Sequence, residues 1–222
     1  MRQARDVLAV GRTMLQIIDE RSALGDIRLH PLRRGVFARL CQCAGVDGAS
    51  LELVGGAVVD RRDDDPARAQ AVAHVAARLR AQAGAAGRIA VGAAWAIDDY
   101  SMPRPDVRVA ALGDHLELGL CTTPLVVEVA RRDRGGAARH ELFAGAPLAE
   151  YWQVDLEAAV IDAWRGRDVR LGSWATVTRY RRGEVVRHAT RPALALTVDE
   201  LMPRPRSRQR LRSRPASATP SP

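Results

Sequence analysis

Between residues 51 and 59 the chain reads LELVGGAVV. Two short apolar runs flank Gly55-Gly56, a pair that accepts positive φ without steric penalty, and the pattern predicts a hairpin. The period then lengthens. Asp65 is placed to cap, Pro66 stands at a first helical position, and Val72, Val75, Ala76 and Leu79 recur at helical spacing, with Gly84 or Gly87 as the stop. His74 lies on this helix and reads as a surface or packing residue. From residue 88 the pattern turns to strands: RIAVGAAWAI over 88–97, PDVRVAA over 105–111 and PLVVEVA over 124–130. A short helix over 136–145 ends before Pro147. Strand-like runs follow as YWQVD over 151–155 and AAVIDAWR over 158–165, then SWATVTRY and EVVRHA, split by Arg182-Gly183. Residues 1–47 carry a looser helical stripe of Val7, Leu8, Leu15, Ile17 and Ile18. This order predicts an α/β fold, a mixed central sheet with helices on its faces. Three parts are expected: a mostly helical N-terminal extension over 1–47, a folded domain over 48–202 and a disordered tail over 203–222.

Composition supports that division. Of 222 residues, 47% are hydrophobic and 27% charged, which suffices for a packed core. No apolar run approaches the roughly 20 residues of a membrane helix. The opening MRQARDVLAV lacks the apolar block of a signal peptide, so a cytoplasmic protein without a membrane partner is expected. All 34 basic residues are arginine. Six of them lie in the acid-free stretch 203–222, which leaves 28 against 26 acids in the rest of the chain. The net charge of +8 therefore reports mainly the tail, which is either a solvated end or a nonspecific phosphate binder. Cys41, Cys43 and Cys121 are too few for a disulfide framework or a four-thiolate zinc site and are expected as buried free thiols. Aromatic residues make up 4% of the chain, which offers no base-stacking platform. Tyr151, Trp152 and Trp164 are expected in the core.

The chemistry concentrates in two carboxylates. Asp106 begins the second core strand and Glu128 lies near the end of the third. If the two strands pair antiparallel, the start of one lies beside the end of the other. The period of two then places Asp106, Arg108 and Ala110 on one face, and Val126, Glu128 and Ala130 on one face of the next strand. One register brings both carboxylates together. Such a pair repels unless a proton or a cation stands between its members. Ligation by oxygen alone suits Mg²⁺ or Mn²⁺. The alternative is a salt bridge, with Arg131, Arg104 or Arg108 as partner to Glu128.

The blocks LELVGGAVV, RPDVRVA, PLVVEVARRD, RHELFAGAPLAEYWQVD and RPALALTVDEL stand in the order found in the Uma family, and over roughly residues 50–202 the chain resembles that family. Uma proteins are a bacterial group assigned to the PD-(D/E)XK nuclease superfamily. The resemblance implies a restriction-endonuclease-like fold and a Mg²⁺- or Mn²⁺-dependent endonuclease acting on nucleic acid, DNA in the first instance, with a homodimer by analogy. Asp106 and Glu128 match the metal-binding acids, and the backbone carbonyl of Val129 matches the third ligand. The metal would lower the pKa of bound water and stabilise charge on the scissile phosphate. Glu52 matches a glutamate that is either a supporting residue or part of a turn-flanking strand. The lysine that the superfamily places two residues after the glutamate is here Ala130. The Uma pattern moves it to the following helix, where Arg139 stands. Arginine can orient a phosphate but stays protonated, so it is no general base. His140 lies about 100° further round the helix. The family's histidine near the start of the first core helix is replaced by Ala69 or a neighbour. These departures keep a second reading open: a catalytically impaired nuclease-fold protein that binds DNA or a protein. A third is an assembly module without a nucleic-acid role.

Overall fold

A computed structural model describes residues 30–43, 45–61, 65–84, 87–111, 123–130, 136–168 and 171–202. In chain order the elements are α1 (Arg34–Leu40), β1 (Leu51–Val54), β2 (Ala57–Asp60), α2 (Pro66–Ala83), β3 (Gly87–Val91), β4 (Val107–Ala111) and β5 (Thr123–Ala130). They continue with α3 (Gly136–Gly145), β6 (Leu148–Asp155), β7 (Val160–Asp168), β8 (Ser173–Tyr180), β9 (Val185–Arg187), β10 (Ala195–Thr197) and α4 (Val198–Leu201). The stripe at residues 7–18, the 203–222 tail and Cys121 lie outside the described residues.

Six strands form the central sheet in the order β3-β4-β5-β6-β7-β8. Only β5 and β6 run parallel, joined across α3, and every other neighbouring pair is antiparallel. The expected mixed α/β sheet with flanking helices is thus what forms. β5 reads TPLVVEVA and is buried almost throughout, as a strand covered on both faces must be. Its odd positions Leu125, Val127 and Val129 join Val107, Val109, Trp152, Val154, Ile161 and Ala163 in a core closed by Ala71, Val75, Ala76 and Leu79 of α2. Its even position Val126 faces the other way, into a smaller core with Trp95, Phe143, Ala146, Leu148 and Tyr151. Glu128 shares that second face by strand period.

The cap of α2 forms as expected: Ala67 N–H donates to Asp65 Oδ1 at 3.0 Å, with Pro66 behind the cap. The β1–β2 hairpin also forms, turning at Gly55 and Gly56, with φ of 57° and 86°. At Gly56 the need for glycine is double, because a Cβ there would also lie 2.5 Å from Pro31 Cβ. This close approach seats residues 31 and 32 on the hairpin, where Leu32 N–H donates to Gly56 O at 2.9 Å.

Several expectations need correction. The first core strand stops at Val91, not at 97, because Gly92 takes a φ of 57° and leaves the ladder. Trp95 beyond it is still fully buried, so its apolar pattern reports packing without strand pairing. The second core strand begins at Val107, which places Asp106 one residue outside it. EVVRHA does not extend the main sheet. Val185–Arg187 pairs with β10 in a separate two-stranded ribbon. Cys41 and Cys43 are free thiols as expected but are not buried: Cys41 is half-buried and Cys43 exposed. Tyr151 and Trp152 are core residues as expected, and Trp164 packs half-buried on the smaller core. Among the described residues no helix is long and apolar enough to cross a membrane.

Ile161 is fully buried in the larger core. Ile161→Ala is expected to cost about 2–5 kcal/mol in urea unfolding, with an unchanged slope against denaturant. A loss below about 1 kcal/mol would mean that the core is not closed over β7.

Candidate functional site

The antiparallel register of β4 and β5 pairs Val107 with Val127 and Val109 with Leu125. Continued by one residue, it sets Asp106 beside Glu128. The two carboxylates do converge. Asp106 Oδ1 lies 3.1 Å and Glu128 Oε2 lies 3.4 Å from a single nitrogen, Arg61 Nη2. Asp106 is fixed from its other oxygen, since Val129 N–H donates to Asp106 Oδ2 at 2.7 Å.

A third carboxylate joins them. Glu52 on β1 is fully buried. Leu53 pairs with Met102 in an isolated bridge, which brings β1 alongside the segment leading into β4. Arg104 N–H donates to Glu52 Oε1 at 3.1 Å. Three such groups cannot be buried together in ionised form unless cations match them.

Three guanidinia do so. Arg61 leaves the end of β2 and gives Nη1 to Glu52 Oε1 at 3.2 Å and to the Arg104 carbonyl, besides its Nη2 contacts with Asp106 and Glu128. Arg68, in the first turn of α2, donates from Nη2 to Asp106 Oδ1 and from Nε to the Val129 carbonyl at 2.8 Å. Arg139 on α3 bridges Glu52 Oε2 and Glu128 Oε1, each at 2.6 Å, and lies over the Phe143 ring. Among the described residues, three carboxylates against three guanidinia leave the cluster neutral. The arginine side chains are the open side: Arg61 is 23% exposed, Arg68 16% and Arg139 15%, against 7% or less for the acids.

The two strand acids are pushed in opposite directions. Burial and the neighbouring Glu128 raise Asp106 above the usual carboxylate range, and Arg61 and Arg68 offset this only in part. Burial also pushes Glu128 upward, but Arg139 and Arg61 outweigh it and hold Glu128 below its ordinary value. Burial would lower Arg139, yet Glu128 and Glu52 raise it further above the normal arginine range. No arginine here can serve as a proton acceptor.

The sequence-derived residues Asp106, Glu128, Val129, Arg139 and Glu52 therefore meet in one place. Glu128 is salt-bridged, as the alternative reading expected, and among the described residues its partners are Arg61 and Arg139. Arg104 binds backbone carbonyls, Arg108 lies over Trp95, and Arg131 is outside the described residues. His140 points away, its Nε2 2.8 Å from Gln153 Oε1. Two members were missed. Arg61 had a signal: the hairpin register sets Glu52 opposite Val59, and Arg61, two residues on, shares the face of Val59. Arg68 had none, because its approach depends on where α2 docks.

The donor set can be tested for a divalent metal. Two carboxylates and a backbone carbonyl suit a hard cation in kind. Asp106 Oδ1 and Glu128 Oε2 both contact Arg61 Nη2, so the two carboxylates face one cationic group. Among the described residues, no group of three acidic, histidine or cysteine side chains is arranged to hold a metal. Asp106, Glu128 and the Val129 carbonyl are the groups that could hold such a cation, and Arg61 and Arg68 contact all three of them.

No family model matches the chain, and no curated protein matches it. Among solved structures it is similar to a "putative nuclease belonging to DUF820" from Anabaena variabilis, with a TM-score of 0.59 and 10% sequence identity. The match covers 74% of this chain and 96% of the other. At that identity the likeness establishes a shared fold.

Two outcomes are expected. Arg139→Met leaves Glu52 and Glu128 short of a buried partner and is expected to cost about 3–5 kcal/mol in chemical denaturation. The second concerns pH. Glu128 is held below its unfolded value near 4.5, so the unfolded chain binds more protons in mild acid. Its contribution is complete above that value and is lost as pH falls through the lowered folded pKa. Relative to wild type, Glu128→Gln is expected to flatten the acid side of stability, read from urea midpoints between about pH 3 and 6. Asp106, being raised, contributes with the opposite sign and makes the wild-type slope shallower.

Proposed function

We propose that this chain is a nuclease-fold endonuclease that hydrolyses DNA phosphodiester bonds with Mg²⁺ or Mn²⁺. The observation that carries the reading is the approach of Asp106 and Glu128 to a single cationic nitrogen at 3.1 and 3.4 Å, at the adjoining ends of β4 and β5. Asp106, Glu128 and the Val129 carbonyl are the residues to hold the ion. When bound, such an ion supplies Lewis acidity toward a phosphoryl oxygen and an acidified water.

The chain's own groups supply the rest. Arg139 is locked by Glu52 and Glu128, and Arg61 and Arg68 stand on the solvent side. A guanidinium binds phosphate oxygens in a planar fork, so these side chains suit backbone recognition and the charge that grows on phosphorus. Hydrolysis breaks one P–O ester bond, and the water oxygen ends on phosphorus. A proton reaches the leaving alkoxide from solvent or a carboxyl group, not from arginine.

Plasmid nicking in Mg²⁺ or Mn²⁺ tests this reading. Asp106→Asn and Glu128→Gln are each expected to remove cleavage by at least the roughly hundredfold that follows even from disturbing a metal's outer shell. Cleavage that survives both changes would sink the assignment.

One observation favours a second reading, a DNA-binding module that does not cut. Every cation in the cluster is a guanidinium, so the site lacks the titratable amine of the superfamily pattern. That reading expects gel-shift affinity for DNA that outlasts both acid substitutions, and no nicking by wild type in either metal at high protein concentration.

A further inference from the structure

Arg61 and Arg68 between them touch all three oxygens that would ligate a metal. Arg61 Nη2 contacts Glu128 Oε2 and Asp106 Oδ1, and Arg68 contacts Asp106 Oδ1 and the Val129 carbonyl. The pair carries the same charge as one divalent ion. With the pair in place the cluster is neutral among the described residues, and a divalent ion added beside it would add two positive charges to a largely buried site. With the pair withdrawn, one divalent ion restores neutrality. Electrostatics therefore makes the ion and the arginine pair alternatives and opposes their coexistence. Arg139 differs in kind. It bridges Glu52 Oε2 and Glu128 Oε1, neither of which the pair contacts, so it can stay when the pair leaves.

The geometry points to Arg61 and Arg68 as a tethered surrogate for a divalent cation, one that holds the Asp106/Glu128/Val129 site closed to Mg²⁺ and Mn²⁺ until the two guanidinia are drawn off. Both side chains start near the ends of elements, just past β2 and in the first turn of α2, and both keep part of their surface in solvent. A phosphodiester arriving at that open side offers them an alternative anion. Release of the site would then accompany nucleic-acid binding. The inference rests on the hydrolase reading only for the kind of ion. A wild-type chain that nicks no DNA defeats that reading and leaves the metal titration to be judged by itself.

The test is Mn²⁺ binding to the full chain without nucleic acid, followed by the loss of the free-ion EPR signal. A site that is open one-tenth of the time binds about tenfold more weakly than one always open. The double variant R61Q/R68Q is therefore expected to take up one Mn²⁺ per chain at least about tenfold more tightly than wild type. Adding Asp106→Asn to it should abolish that gain. Gln keeps much of the side-chain length and a hydrogen-bonding end without the charge. If circular dichroism shows the double variant unfolded, the single variants R61Q and R68Q are read in its place, each expected to bind more tightly than wild type. Equal affinity in wild type and the folded variants overturns the proposal. So does a wild-type chain that itself takes up one Mn²⁺ at micromolar concentration in an Asp106-dependent way, which needs no gain-of-binding variant to observe.

Discussion

Burial of three carboxylates within reach of one another is the constraint on which the centre of this molecule depends. Glu52, Asp106 and Glu128 come from three different strands or strand ends, and each lies at 7% exposure or less. Unmatched, such a group would neutralise itself by taking a proton or would resist folding. The guanidinia that match them arrive from the hairpin, from α2 and from α3. Neutralising the acids therefore ties both helices and the hairpin to the middle of the sheet. The apolar cores fix the layers, and the charge cluster fixes how their ends meet. Truncating one arginine is expected to be costly for this reason, although replacing the whole cluster by apolar side chains need not be.

The fold was largely legible because its signals are local and periodic. The α2 stripe, the glycine hairpin and the unbroken apolar run of β5 each imply burial without knowledge of a partner. Asp106 and Glu128 were legible for a related reason. A charge within LVVEV has no inexpensive place in a central strand, and the period of two says which face it takes. What failed was non-local. Apolar residues around Trp95 are buried by packing, but Gly92 leaves the ladder before them, and hydrophobicity alone does not separate those cases. Val185–Arg187 has strand character, yet its partner is β10 ten residues on, because a two-stranded ribbon also satisfies an isolated apolar strand.

The partners of Glu128 show the same limit in chemical form. In a chain with 34 arginines and no lysine, charge gives no hint as to which arginine is structural. Sequence proximity favoured Arg131, and strand proximity favoured Arg104 and Arg108. Among the described residues, those that reach Glu128 are Arg61, 67 positions earlier, and Arg139 on the crossover helix. Only the docking of the hairpin and helices onto the sheet makes that choice. Arg61 could have been read from the hairpin register once Glu52 was treated as a member of the site.

The exclusive use of arginine alters what this centre can do. A lysine in a buried acidic cluster can shed its proton as its surroundings change, and so can switch between counter-ion and base. A guanidinium cannot, and here its neighbours raise its pKa further. The only freedom left to these side chains is displacement. They can sit on the carboxylates or on an incoming phosphate, and a planar fork fits either anion. Any proton transfer must then fall to water or to a carboxyl group. Asp106, held above the usual carboxylate range by burial and Glu128, would be raised further by the loss of its guanidinium neighbours. Movement of Arg61 and Arg68 would thus alter both the charge and the proton affinity of one carboxylate. If the pair is displaced as proposed, arginine position would take the part that titration of a lysine can play.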